Sequence, residues 1–177
     1  MRSMKTTMVF LIVSAVMMPL ATILGGCSFE TGISYDPSSE NAIIRIKEVK
    51  GDNTVFELYG NGVIRVRRDI FESKVESGQL SQRQVKQILN HVINKLRIGE
   101  LQSSYPKEFI PGIEMYPNME LILEVNIDGF NKHISFAYSN VCDELEYFLE
   151  EGRIDRQAFK QLNRLKAVFD YLLEYKF

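Results

Sequence analysis

Cys142, His133 and Asp143 are the side chains whose types invite a chemical reading first. A thiolate beside an imidazole is what a hydrolase uses as nucleophile and base, and a cysteine near a helix start gains acidity from the helix dipole. Cys142 also falls on the apolar side formed by Val141, Leu145, Phe148 and Leu149. Free cysteine is among the most buried residue types, so a packed, inert thiol is expected. His133 should face Glu124 across a strand pair, which is acid–base equipment in principle. No third group is placed to orient the imidazole, and an ordinary cross-strand contact is the expected role.

The other polar groups add no catalytic or metal constellation. His91 flanks an apolar helical stripe, and two distant histidines with one thiol have no metal-ligand spacing. Gly60 and Gly62 sit in a hairpin with no helix following, so they do not cradle a phosphate. No cofactor is implied. Arg65, Arg67 and Arg68 form a small cluster that suits either anionic headgroups or, as favoured here, the solvated face of a strand. The acids Asp143, Glu144, Glu146, Glu150 and Glu151 read as a wet helix face. With 21 basic against 23 acidic residues, the chain lacks the basic surface a nucleic-acid binder needs. The expectation is a non-enzymatic domain, with a Cys142–His133 hydrolase as the alternative.

The remaining cysteine has a different context. Arg2 and Lys5 precede an apolar or small-residue run from Met8 to Ile23, and no acid appears before Glu30. The run is shorter than the roughly 20 residues of a spanning helix, and Pro19 interrupts it. It has the layout of an export signal. The run ends in Leu24-Gly25-Gly26-Cys27, which resembles the lipobox of bacterial lipoproteins. That resemblance implies cleavage between Gly26 and Cys27, a diacylglycerol thioether on the Cys27 sulfur and an acyl chain such as palmitate on its new amine. Two or three chains anchor stably where one is marginal. It further implies a cell-envelope protein held by membrane lipid on the extracytoplasmic side. In the family's sorting pattern Asp after the cysteine retains the protein at the inner membrane, so Ser28 favours the outer membrane where the source has one. Losing Arg2 and Lys5 moves the formal charge from −2 to −4 and leaves Cys142 without a disulfide partner.

Three parts follow: residues 1–26 as signal peptide, 27–41 as lipidated cysteine and flexible tether, and 42–177 as one domain. In the domain, AIIRIKEVK alternates as a strand with one covered face. VFELYGNGVIRVRR reads as a hairpin with a three-residue Gly60-Asn61-Gly62 loop. That register pairs Phe56 with Val66, Leu58 with Ile64 and Glu57 with Arg65. Val85, Ile88, Leu89, Val92 and Leu96 then make a helical stripe, with Ser81 and Gln84 spaced as a capping box and Gly99 as the stop. A second hairpin turns at Asp128-Gly129 and sets Leu121 against Phe136 and Leu123 against Ile134, with Lys132 a blemish opposite Val125. Two helices close the chain, one lined by Val141 to Leu149 and one by Ala158 to Leu172 and capped by Asp155. The expected class is α+β, an antiparallel sheet of about five strands, two hairpins plus one strand, with about three helices on one face.

The first strand, the Tyr59-Gly60-Asn61-Gly62-Val63 hairpin, the helix after it and the second strand pair resemble uncharacterised bacterial lipoprotein domains. Those relatives often carry cysteines in the first strands, where this chain has none, and the resemblance implies a fold without an activity. Between helix and second hairpin lies Gly99 to Met119, with Pro106, Pro111 and Pro117 among Tyr105, Phe109, Ile110, Met115 and Tyr116. Long irregular loops are often functional, and aromatic and Met side chains suit a protein or envelope partner. The reading favoured for the loop itself is that it folds over an open end of the core and buries them. The function expected is an envelope lipoprotein with a binding domain, or else a purely structural one.

Overall fold

The computed structural model describes residues 32–51, 53–113 and 119–177. The signal peptide, the Gly26–Cys27 cleavage site, Ser28, Met115 and Tyr116 lie outside the described residues.

Strand β1 (Ala42–Glu48) pairs antiparallel with both β2 (Thr54–Tyr59) and β6 (Glu120–Ile127). Its alternate residues Ile44 and Ile46 are fully buried. β2 turns into β3 (Val63–Val66) with Phe56 opposite Val66, Glu57 opposite Arg65 and Leu58 opposite Ile64. Gly62 has φ +88, and a Cβ there would stand 2.3 Å from the Leu80 carbonyl oxygen, so the three-residue loop needs glycine on both counts. β6 turns into β7 (Phe130–Ala137) in the expected register, Leu121 opposite Phe136 and Leu123 opposite Ile134.

The α+β class holds, but the sheet is larger than five strands and is not purely antiparallel. Seven strands among the described residues run in the order β4-β3-β2-β1-β6-β7-β5. β4 (Glu76–Gln79) extends the edge beside β3, and β5 (Ser104–Tyr105) joins β7 in parallel. Neither shows an alternating apolar pattern, because an edge strand need not bury a full face.

Helix α1 (Gln82–Asn90) starts at the Ser81–Gln84 capping box and runs into a π-turn over His91–Lys95. The π-turn takes up one extra residue, and the chain reverses at Arg97, with φ 51, instead of at Gly99. Ile98 then enters the core. Val141 lies in a 3-10 turn over Tyr138–Val141 and not in the helix expected there; α2 is confined to Leu145–Glu150 and is followed by Gly152 at φ +68. Helix α3 (Arg156–Leu173) is capped by Asp155, whose carboxylate accepts from the Ala158 amide at 2.7 Å.

The helices bury Val85, Ile88, Leu89, Leu162, Leu165 and Phe169 in one cluster with the inward strand residues. A fully buried side chain of this kind contributes about 1.5–3 kcal/mol. Lys132 is no blemish on that side, since its ammonium donates to the carbonyls of Gly99, at 3.3 Å, and Leu101. Of the stretch expected to be a flexible tether, the described residues 32–41 are seated on the domain: Tyr35 is buried, its hydroxyl bonds Gln82 Oε1, and Ser34 bridges Asp128. No helix among the described residues is long and apolar enough to cross a membrane.

Candidate functional site

The helices cover one face of the sheet, and the other face carries a row of charge. Outward residues of five adjacent strands stand in register: Arg65 beside Glu57, Glu57 beside Arg45, Arg45 beside Glu124, and Glu124 beside His133. Basic and acidic side chains alternate along the row. Arg45, Arg65, Glu124 and His133 keep between 35% and 58% of their side-chain surface exposed. Glu57 keeps only 8%, because its neighbours close over it.

The Glu57 carboxylate is the hinge of this row. It accepts from the Tyr59 hydroxyl at 2.7 Å and lies 3.2 Å from Arg45 Nε and 3.6 Å from an Arg65 guanidinium nitrogen. Burial, and then the hydrogen bond to Glu57, push the Tyr59 phenol above its ordinary pKa, so it remains a proton donor. At the other end His133 Nδ1 is 3.3 Å from Glu124 Oε1. Beside that pair is an open hollow of about 480 Å³ lined by Asn41, Arg45, Glu124, Asn126, Asn131 and His133 among others. Its guanidinium, carboxylate and amide groups offer donors and acceptors to a polar ligand.

Cys142 and His133 are not brought together. The Cys142 thiol belongs to the core cluster, whereas His133 lies on the outward face, alternating with buried Ile134. Burial is the main cause that pushes the thiol pKa up to about 11, the reverse of what an activated nucleophile needs. No group of three or more histidine, cysteine, aspartate or glutamate side chains among the described residues is arranged to hold a metal. His91 stacks on Tyr171 with ring centroids 4.1 Å apart; burial, then Lys95, lowers its pKa.

The 99–119 loop is turned inward where it is described. Tyr105 is fully buried and its hydroxyl accepts from the Gln102 amide at 2.8 Å and donates to Gln161 Oε1 at 2.7 Å. Ile110 is buried, and Phe109 is half-buried against the Tyr105 ring at 5.1 Å. Asn140, buried on the neighbouring 3-10 turn, stitches the loop down by donating to the carbonyls of Tyr105 and Pro106 at 2.7 and 2.9 Å. Of the two readings of this loop, burial over the core holds for Tyr105 and Ile110 and partly for Phe109, so little contact surface is left on them.

Each arginine of the 65–68 cluster has a partner within the domain, although Arg65 keeps half of its side chain in solvent and only Arg67 is buried. Arg65 serves Glu57. Arg67 is buried against Glu48, whose carboxylate is disfavoured by burial but held below its usual pKa by the Arg67 and Asn53 hydrogen bonds. Arg68 donates to the carbonyls of Leu173 and Tyr175 at 2.6 and 2.9 Å. The sequence reading missed Arg45 as the middle member of the charged row. Both hairpin halves were visible in the spacing, but joining them needed the β2-β1-β6 order, which no local pattern encodes.

No family model, curated protein or solved structure matches this chain.

Proposed function

We propose that the protein is a lipid-anchored cell-envelope lipoprotein whose α+β domain binds another macromolecule and performs no chemistry. The observation that carries the reading is Leu24-Gly25-Gly26-Cys27 at the end of a basic-then-apolar leader. The Cys27 thiol can take a diacylglycerol as a thioether, and Gly25 and Gly26 offer a peptidase an unhindered backbone before it. Cys27 then holds the domain at the membrane, and Ser28 directs it to an outer membrane where one exists.

The binding half of the reading is supported by the uncovered charged row and the hollow beside Arg45, Glu124 and His133. Burying such a face against a complementary partner gives specificity and on-rate more than raw affinity. The partner is accordingly polar.

Two measurements test this. The intact mass of the processed chain from its own cells should correspond to residue 27 onward plus two or three acyl chains; a mature chain beginning elsewhere sinks the anchor. A photo-crosslinking side chain at His133 should capture a discrete partner in intact cells, and one at Val49 should not. Equal capture, or none at either position, favours a purely structural lipoprotein.

A further inference from the structure

The segment that leads from Cys27 into the domain docks beside a helix of one-sided charge. From Ser77 to Gly99 the sequence holds Arg83, Lys86, Lys95 and Arg97 and no acid, within a chain of net charge −2. Helix α1 turns Val85, Ile88 and Leu89 inward and leaves Arg83, Lys86 and Gln87 exposed. Among the described residues neither Arg83 nor Lys86 has an acidic partner within ion-pair distance. Gly32, Ile33 and Tyr35 share a hollow with Gln82 and Lys86. The described chain thus begins next to Lys86, on the helix that also carries Arg83.

Chain length fixes how far this place can stand from the anchor. Five residue steps separate Cys27 from Gly32, and at full extension they span at most about 18 Å. A tether free over 28–41 would reach nearly three times as far and leave orientation open. The seating of Tyr35 removes that freedom.

We propose that the exposed face of α1, centred on Arg83 and Lys86, rests on the anionic headgroups of the bilayer that holds Cys27. The inference deepens the lipoprotein reading and rests on it. Charge complementarity selects the occupant: each cation near an anionic lipid surface favours contact about fivefold, and two favour it roughly 25-fold over a neutral face. The acids gathered between Asp143 and Glu151 belong to another element and are repelled by the same surface. The orientation also sets what faces outward. β1 runs from Ala42, near the seated segment, for about 20 Å to the turn carrying Val49, which is exposed at the far end of the sheet.

The test uses the full acylated protein in vesicles of phosphatidylglycerol and phosphatidylethanolamine doped with a headgroup-quencher lipid. A dye is attached at Gln87→Cys or Val49→Cys, with Cys142→Ala to remove the buried thiol. The dye at position 87 should be quenched several-fold more than at 49. Arg83→Gln with Lys86→Gln, or phosphatidylcholine vesicles with the native charges, should erase most of the difference. Equal quenching at both positions, or a difference indifferent to both changes, overturns the docking. The mass and flotation of the same sample separate the two failures. An acylated chain that floats without preferential quenching overturns only the docked face, while a chain without acyl mass that stays in solution overturns the anchor and the docking together.

Discussion

Glu57 Oε1 lies 3.2 Å from Arg45 Nε across the β1–β2 pair, the carboxylate almost closed from solvent and the guanidinium still partly open to it. The contact lacks hydrogen-bond alignment at Nε, so charge more than a directed bond holds the two together. Arg65 approaches the same carboxylate from the other side at 3.6 Å. Glu57→Gln would leave two arginines facing each other across a neutral amide. The partial exposure of both arginines screens the loss, so the expected destabilisation is about 1–3 kcal/mol, read as a lower urea midpoint with unchanged slope. Glu57→Gln combined with Arg45→Gln should recover part of it. A double variant as unstable as the sum of the singles would show that the pair carries no coupling.

Tyr105 separates ring from hydroxyl. Its phenol bonds the Gln102 amide and Gln161, and its ring is wholly buried. Tyr105→Phe is expected to lower stability by about 1–2 kcal/mol, through the hydrogen bonds alone. Tyr105→Ala should lower it by about 3–5 kcal/mol, because a cavity is added. Thermal unfolding of both variants checks the order. A Tyr105→Ala protein as stable as the parent would return the residue to the surface.

Cys142 should make stability fall at high pH. Its ordinary pKa of 9.0 is raised to about 11 in the folded chain, so between these values the unfolded thiol has lost its proton while the folded one retains it. Unfolding then releases a proton, and the thiol's contribution, complete below pH 9, is lost as pH rises toward about 11. Against Cys142→Ala, the parent should show a steeper decline across that window in urea unfolding at stepped pH. Parallel curves would mean that the thiol titrates normally. Alkylation by iodoacetamide at neutral pH should likewise be slow in the folded protein and fast in denaturant.

Legibility followed the range of the interaction. Both hairpin registers follow from turns of two or three residues and from alternation on either side, as Leu58–Ile64 and Leu123–Ile134 illustrate. The Ser81–Gln84 box and the Asp155 cap are equally local. β5 escapes such a reading because two residues beside β7 are recruited by a contact about thirty positions away, with Tyr105 opposite Phe136. Arg97 escapes because a π-turn is a tertiary compromise, and Gly99 two residues on is the more obvious stop. Half of the charged row was visible as Glu57–Arg65 and half as Glu124–His133. Arg45 joins the halves only once β1 is placed between them.

Tyr35 was the overlooked signal in an otherwise polar stretch, and it supports the last prediction. Its ring is buried, its hydroxyl bonds Gln82, and Asp36 beside it packs so closely on Gly60 that a Cβ there would lie 2.2 Å from the Asp36 carbonyl oxygen. Seating of this kind rests on one aromatic anchor and a few backbone contacts, which makes it separable from the global fold. Tyr35→Ala is expected to remove about 2–4 kcal/mol from the seating and to open residues 32–41 to limited proteolysis, while the digestion of β1–β7 stays unchanged. Tyr35→Phe should behave nearly as the parent, because the ring supplies most of the buried surface. If both variants resist protease like the parent, the segment is held by Ser34, Asp128 and Ser39 and not by the ring. If Tyr35→Ala unfolds the whole domain, the segment is part of the cooperative core. The intermediate outcome alone means that residues 32–41 form a latch, closed on the domain by the Tyr35 ring and able to open without global unfolding.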